Sequence, residues 1–155
     1  MHCMKPLVSI PPSELDADSS ARLWALVFYL SEHPSSQSDP RLQPFWLAYM
    51  YDAEVKNGGH LQYFHNQGVA SVQGAIDALI TIGAHSHAAL LEDCWSKAEA
   101  DPVFRVSSLA EYSELAHDCS FKSEDSAYYK LSPDVLSLLE AHYEAMLHEY
   151  ISVSA

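Results

Sequence analysis

The tripeptide Asn57-Gly58-Gly59 lies between two stretches of helical patterning, with no residues to spare for a loop. Upstream, Trp46, Tyr49, Met50 and Ala53 recur at helical spacing, and downstream His60 to Gln67 reads as a short segment stopped by Gly68. Glycine accepts the positive φ of a helix C′ position, where a Cβ is disfavoured. A second glycine lets the chain reverse and start the next helix within one or two residues. The sequence is thereby committed to a sharp helix–helix corner with closely approaching backbones.

The rest of the pattern agrees with a helical architecture. Leu23, Trp24, Val27, Phe28 and Leu30 predict a first helix running to Glu32, and the Pro-rich and Ser-rich stretch from His33 to Pro40 predicts a loop. Val72, Ala75, Ile76, Leu79, Ile80 and Gly83 form an apolar stripe, as do Leu91, Cys94, Trp95 and Ala98, the latter helix closed by Asp101-Pro102. Residues 107–119 form a weaker sixth candidate. Ser132 as cap, Pro133 at N1 and Asp134 as an early acid open a last helix, whose stripe of Val135, Leu139, His142, Tyr143, Met146, Leu147 and Tyr150 places His142 in the core. Leu7-Val8-Ser9-Ile10 is the one weak period-2 segment. The expected fold is all-α: an extended lead-in over residues 1–18, with Pro6, Pro11 and Pro12 excluding helix, then one domain of about six to seven helices over residues 19–155.

Size and composition narrow the function. A chain of 155 residues, 48% apolar, can bury a single core unaided. No apolar run reaches the ~20 residues that cross a bilayer, and Met1 to Pro6 lacks the apolar stretch of a signal peptide, so a cytoplasmic protein is expected. Cys3, Cys94 and Cys119 are odd in number and widely spaced, which is no disulfide framework, and Cys94 beside Trp95 reads as a small buried hydrophobe. Twenty-one acids face eight bases, a net charge of −13. Such a surface repels nucleic acid and anionic membranes and attracts basic partners, although solubility alone also accounts for it.

Polar side chains cluster around the corner. Glu54 and Asn57 share one helix face and Gln62 and Asn66 another, so folding at Gly58-Gly59 brings the pairs together, with Gly68 as a second C-cap. Two readings follow. In one, these groups satisfy backbone atoms freed by two abrupt helix ends. In the other, Glu54, Asn57, Gln62 and Asn66 line a small polar pocket that binds or turns over a ligand.

Other chemistry has little support. His60 and His65 point about 140° apart on a regular helix, and His85 and His87 would need outside carboxylates such as Glu92 or Asp93 to hold a metal. No HExxH, GxSxG or phosphate-binding glycine loop occurs, so no cofactor, no metal and no catalytic residue is expected.

The string from Tyr51 to Gly68, with Ala75, Ala78 and Ile82-Gly83-Ala84, resembles the signature of the DNA-mimic-protein-like family, much of which is known only as a domain of unknown function. Its pattern is a glutamate followed by Asn-Gly-Gly, an aromatic-rich Gln-Tyr-Phe segment, Asn and Gly, then an alanine-rich helix. The resemblance is specific over residues 46–84. It implies an all-helical fold and, for the characterised member, a homodimer that mimics duplex DNA and blocks a DNA-binding transcriptional regulator.

A mimic must place carboxylates where a DNA-binding protein expects phosphates. Duplex DNA carries one charge per ~1.7 Å, whereas one acid per helical turn gives one per about 5.4 Å. Several helices, or two copies, would therefore have to combine. The candidate acids are Glu92, Asp93, Glu99 and Asp101 around the fifth helix, Glu111, Glu114 and Asp118 on the sixth, and Glu140, Glu144 and Glu149 on the last, with Glu124 and Asp125 adding to the supply. The expectation is an acidic interaction protein whose partner is a basic protein such as a DNA-binding regulator, with no direct nucleic-acid or membrane binding.

Overall fold

The computed structural model describes residues 5–100 and 121–155. The chain runs β1 (Val8–Ile10), α1 (Pro12–Ala17), α2 (Ala21–Glu32), a 3-10 turn (Pro34–Ser38), α3 (Gln43–Gln67), a second 3-10 turn (Val69–Ser71), α4 (Val72–Thr81) and α5 (His85–Ala100). After the undescribed stretch come α6 (Lys122–Tyr128), α7 (Val135–His142), α8 (Glu144–Tyr150) and β2 (Ile151–Val153). The architecture is all-α, with one short parallel pair in which Val8 faces Ile151 and Ile10 faces Val153. The candidate helix at 107–119, and the Asp101-Pro102 stop, lie outside the described residues.

The core is built from whole helical stripes. Leu23, Leu26 and Leu30 of α2, Phe45 and Tyr51 of α3, Leu79 of α4, Leu91 of α5, Leu139 of α7 and Ile151 of β2 are all essentially inaccessible. Burying side chains of this size stabilises by about 1.5–3 kcal/mol each before entropy is counted. α4 packs between α3 and α5, and α7 closes over α3. Cys94 is fully buried, and desolvation pushes its thiol up to about 12, as suits a small hydrophobe.

Several expectations need correction. The stretch read as an extended lead-in carries β1 and α1 in its described part. Pro12 occupies the N1/N2 turn of α1 after an extended Pro11, where its fixed φ suits a helix and its missing N–H costs nothing. The inward face of α3 is Phe45, Ala48, Tyr51, Asp52 and Val55, not Trp46, Tyr49, Met50 and Ala53, which are half-buried and flank it. Trp24 and Phe28 of α2 are likewise exposed, at 40% and 64%, as is Ile80 of α4. His142 is exposed rather than in the core. The last helix breaks at Tyr143, whose φ of −100° and ψ of 18° end α7 and start α8, so the stripe resumes in a new direction. Its N-cap is Asp134, which accepts from the Leu136 N–H, rather than Ser132.

Candidate functional site: the glycine corner and its buried polar relay

α3 is two helices joined at the corner. Gly58 has an extended φ of −155°, and Gly59 has φ +79°. Gly59 is required twice over: its φ is left-handed, and a Cβ there would lie 2.3 Å from Asp125 Oδ2. Gly68 ends the second half at φ +73°, with its N–H on the Phe64 carbonyl at 3.0 Å.

The Glu54 carboxylate is the centre of a clasp across the corner. Gln62 Nε2 donates to Glu54 Oε2 at 2.7 Å, Asn66 Nδ2 to the same oxygen at 3.0 Å, and Gln67 Nε2 to Oε1 at 3.3 Å. The fold thus brings Glu54, Gln62 and Asn66 together as the spacing predicted. Asn57 is exposed and takes no part among the described residues. Gln67 joins instead, because it follows Asn66 at the end of the same turn. The clasp ties the two halves of α3 by side chains alone.

Beneath the corner runs a second network. His60 is fully buried, and both its backbone N–H and its ring Nδ1 meet Asp125 Oδ1 of α6, at 2.9 and 2.7 Å. A carboxylate oxygen accepts, so Nδ1 carries the proton, and in the neutral ring Nε2 accepts from the Tyr51 hydroxyl at 2.8 Å. Burial holds the Tyr51 phenol well above its ordinary pKa, so it stays protonated. Tyr51 also makes edge-on contacts with Tyr63 and Tyr128, at centroid distances of 5.1 and 5.7 Å.

Asp52 is a buried carboxylate, 1% exposed, and a charge placed there needs partners. Tyr128 of α6 donates to its Oδ1, and Lys56 donates to its Oδ2 at 2.9 Å. Lys56 reaches on to Asp134 at 3.1 Å, and its carbonyl accepts from Tyr129. Partial burial works against the Lys56 charge, but hydrogen bonds and charge from Asp52 and Asp134 outweigh it and raise its pKa. Burial, then Asp52, pushes the Tyr128 phenol far up. On the far side of α6, Glu124 is paired with Lys97 of α5 and accepts from Ser123 at 2.9 Å.

Sequence reading missed Asp52, and treated Asp125 and Glu124 as part of the acidic supply. The available signal was Asp52 four residues before Lys56, the spacing of a helical ion pair. Nothing local marks Asp125, whose partner His60 is 65 residues away.

The acids read as partner-binding fall into groups. Glu92, Asp93 and Glu99 are exposed on α5. Glu92 and Glu99 are seven residues apart, on one face and separated by about 10.5 Å. Half-buried Glu140 and exposed Glu144 come from different helices but share a cavity of about 440 Å³ with Arg22 and His148. Glu149 is exposed yet held by a two-pronged contact from Arg41, at 2.9 and 3.3 Å, which lowers its pKa. Asp101, Glu111, Glu114 and Asp118 lie outside the described residues. Among the described residues no group of three or more His, Cys, Asp or Glu could hold a metal ion.

A family model described as DMP19-like protein matches residues 36–151. The chain belongs to this DNA-mimic-protein-like family. The DMP19-like match takes in the whole corner, both polar networks and all helices from α3 to α8. It leaves outside β1, α1 and α2, and with them the exposed Trp24 and Phe28. No curated protein and no solved structure matches the chain. Among the described residues of this DMP19-like chain, no helix is long and apolar enough to cross a membrane.

Proposed function

We propose that this DMP19-like protein is an acidic interaction protein that occupies the DNA-binding surface of a basic partner, a DNA-binding regulator being the expected class. The observation that carries this reading is the family match over residues 36–151. Two features support it. The net charge of −13 gives long-range attraction to a cationic surface. The polar groups at the corner are also turned on one another: Glu54 accepts from three amides and His60 lies between Asp125 and Tyr51. That leaves recognition to the acidic faces, where Glu92 and Glu99 on α5, and Glu140 and Glu144 at the α7–α8 junction, are the carboxylates assigned to it.

No single helix reaches the charge density of a duplex, so the reading calls for two faces, or for two copies of the chain as in the homodimer the family resemblance implies. Light scattering at micromolar concentration distinguishes 17.2 kDa from twice that mass.

The test is affinity capture from host lysate, eluted with a salt gradient and with duplex DNA as competitor. Recovery of a DNA-binding protein that DNA displaces supports the reading. Capture that ignores both salt and DNA, or no capture, overturns it. Reversal of Glu140 and Glu144 to Lys should weaken capture while circular dichroism stays unchanged.

A further inference from the structure

A small cavity of about 250 Å³ opens beside the buried network, lined by Lys56, His87, Tyr128, Tyr129, Leu131 and Asp134. Its volume is below the ~300–1,000 Å³ of sites for drug-sized ligands, so it suits a head group with a short stem. His87, in the first turn of α5, is only 3% exposed and lines this space. Neither of its ring nitrogens has a hydrogen-bond partner among the described residues. These nitrogens are not among the sealed, unpartnered polar atoms of the described residues, which are Tyr63 Oη and Trp95 Nε1, so the ring is open to a donor from within the cavity.

The wall chemistry selects the occupant. Of the charged groups only Lys56 and Asp134 line the space, one positive and one negative, while Asp52 lies behind Lys56 with both oxygens engaged. Lys56 already donates to both acids, while only the Oδ1 of Asp134 is engaged, by Lys56 and by the Leu136 N–H. Tyr128 stands edge-on to His87 at 5.3 Å and to Tyr129 at 6.2 Å, which sets ring walls at right angles. Ring faces, an unpartnered imidazole lone pair and a free carboxylate oxygen all suit a positive group.

We propose that this cavity binds the head group of a single organic cation, a guanidinium or a primary ammonium, with His87 as hydrogen-bond acceptor and Asp134 as counter-charge. The site is separate from the acidic faces and stands whether or not those imitate DNA. Burial lowers the His87 pKa and so keeps the ring neutral near pH 7. The charged groups facing it, Asp52, Asp134 and Lys56, oppose one another. Acidification that protonates the ring removes the acceptor and repels the cation.

The experiment follows the imidazole signals of histidine-labelled protein by NMR during titration with methylguanidinium, n-butylammonium and acetyl-arginine amide, with acetate and acetamide as controls. A saturable shift of the His87 ring with the cations but not with acetate or acetamide is the expected result. Tighter binding of acetyl-arginine amide than of methylguanidinium identifies a partner's side chain as the source, and the reverse order identifies a small free cation. Asp134→Asn, which keeps an N-cap oxygen, should weaken the cations by about tenfold, equivalent to ~1.4 kcal/mol. The proposal is overturned if no cation gives a saturable shift, if acetate or acetamide binds as well, or if folded Asp134→Asn binds unchanged. His87→Gln assigns the signal, and because Asp134 is exposed the test does not depend on that buried variant folding.

Discussion

One oxygen of Asp125 holds both the backbone N–H and the ring Nδ1 of His60, and the other oxygen stands where a side chain on Gly59 would have to go. Helix α6 is thereby locked to the corner of α3 through a single carboxylate. Replacing Asp125 by Ala leaves two donors of a fully buried residue without an acceptor. At about 1–3 kcal/mol for each unsatisfied group, the expected loss is roughly 2–6 kcal/mol. Asp125→Asn keeps a carbonyl oxygen and should lose less than half as much. Urea denaturation measures both, and equal losses would show that the shared oxygen is not the source.

Gly59 and Gly68 separate strain from crowding. Both have positive φ, but a Cβ at Gly68 meets nothing within 4 Å. Gly68→Ala should therefore cost only the strain of its positive-φ backbone, about 1–3 kcal/mol. Gly59→Ala also displaces Asp125 Oδ2, which cannot swing away without breaking its bonds to His60, and should cost about 3 kcal/mol or more. Comparable midpoints for the two variants would contradict the packing described.

Tyr128 donates to the buried Asp52 carboxylate, which Lys56 alone would otherwise serve. Tyr128→Phe removes one bond to a charged group and should destabilise by about 1.5–3 kcal/mol. In Asp52→Asn the charge itself is gone, so adding Tyr128→Phe should cost clearly less than it does alone. A double-mutant cycle showing full additivity would place the hydroxyl's contribution elsewhere.

His87 gives stability a pH dependence of known sign. Its pKa is lowered from 6.5 by burial, so between the folded value and 6.5 the unfolded chain binds more protons than the folded one. The contribution is fully present above about pH 6.5 and is lost progressively as pH falls through the folded value. Melting temperatures of wild type and His87→Gln should therefore converge on acidification from pH 7.5 to 5. Parallel curves would mean that His87 titrates normally.

Much of this fold could be read from local pattern. The Gly58-Gly59 break, the Gly68 stop and the clasp of Glu54 with Gln62 and Asn66 all depend on residues within 12 positions of one another. The stripes of α4 and α5 were legible for the same reason. Asp125 and Asp52 were not, because tertiary contacts rather than periodicity decide which charges are buried. A charged residue on the α3 core stripe also disguises that stripe, so the adjacent aromatics Trp46 and Tyr49 mimic it in the pattern. Pro12 misled in another way: proline excludes a helix interior but favours its first turn.

The parallel pairing of β1 with β2 bears on how the chain becomes native. Ser152 reaches the Val8 carbonyl across 144 positions of sequence. A nascent chain emerging from a ribosome displays Val8 and Ile10 long before their partners exist, while the α3 corner can form from neighbours already made. Closing so wide a loop on a flexible chain is slow. Once the helices have assembled, the remaining gap is short, and the strands seal at little further entropic cost. The ladder is thus a final fastening, and loss of β2 should leave helices that still assemble around an unsecured β1.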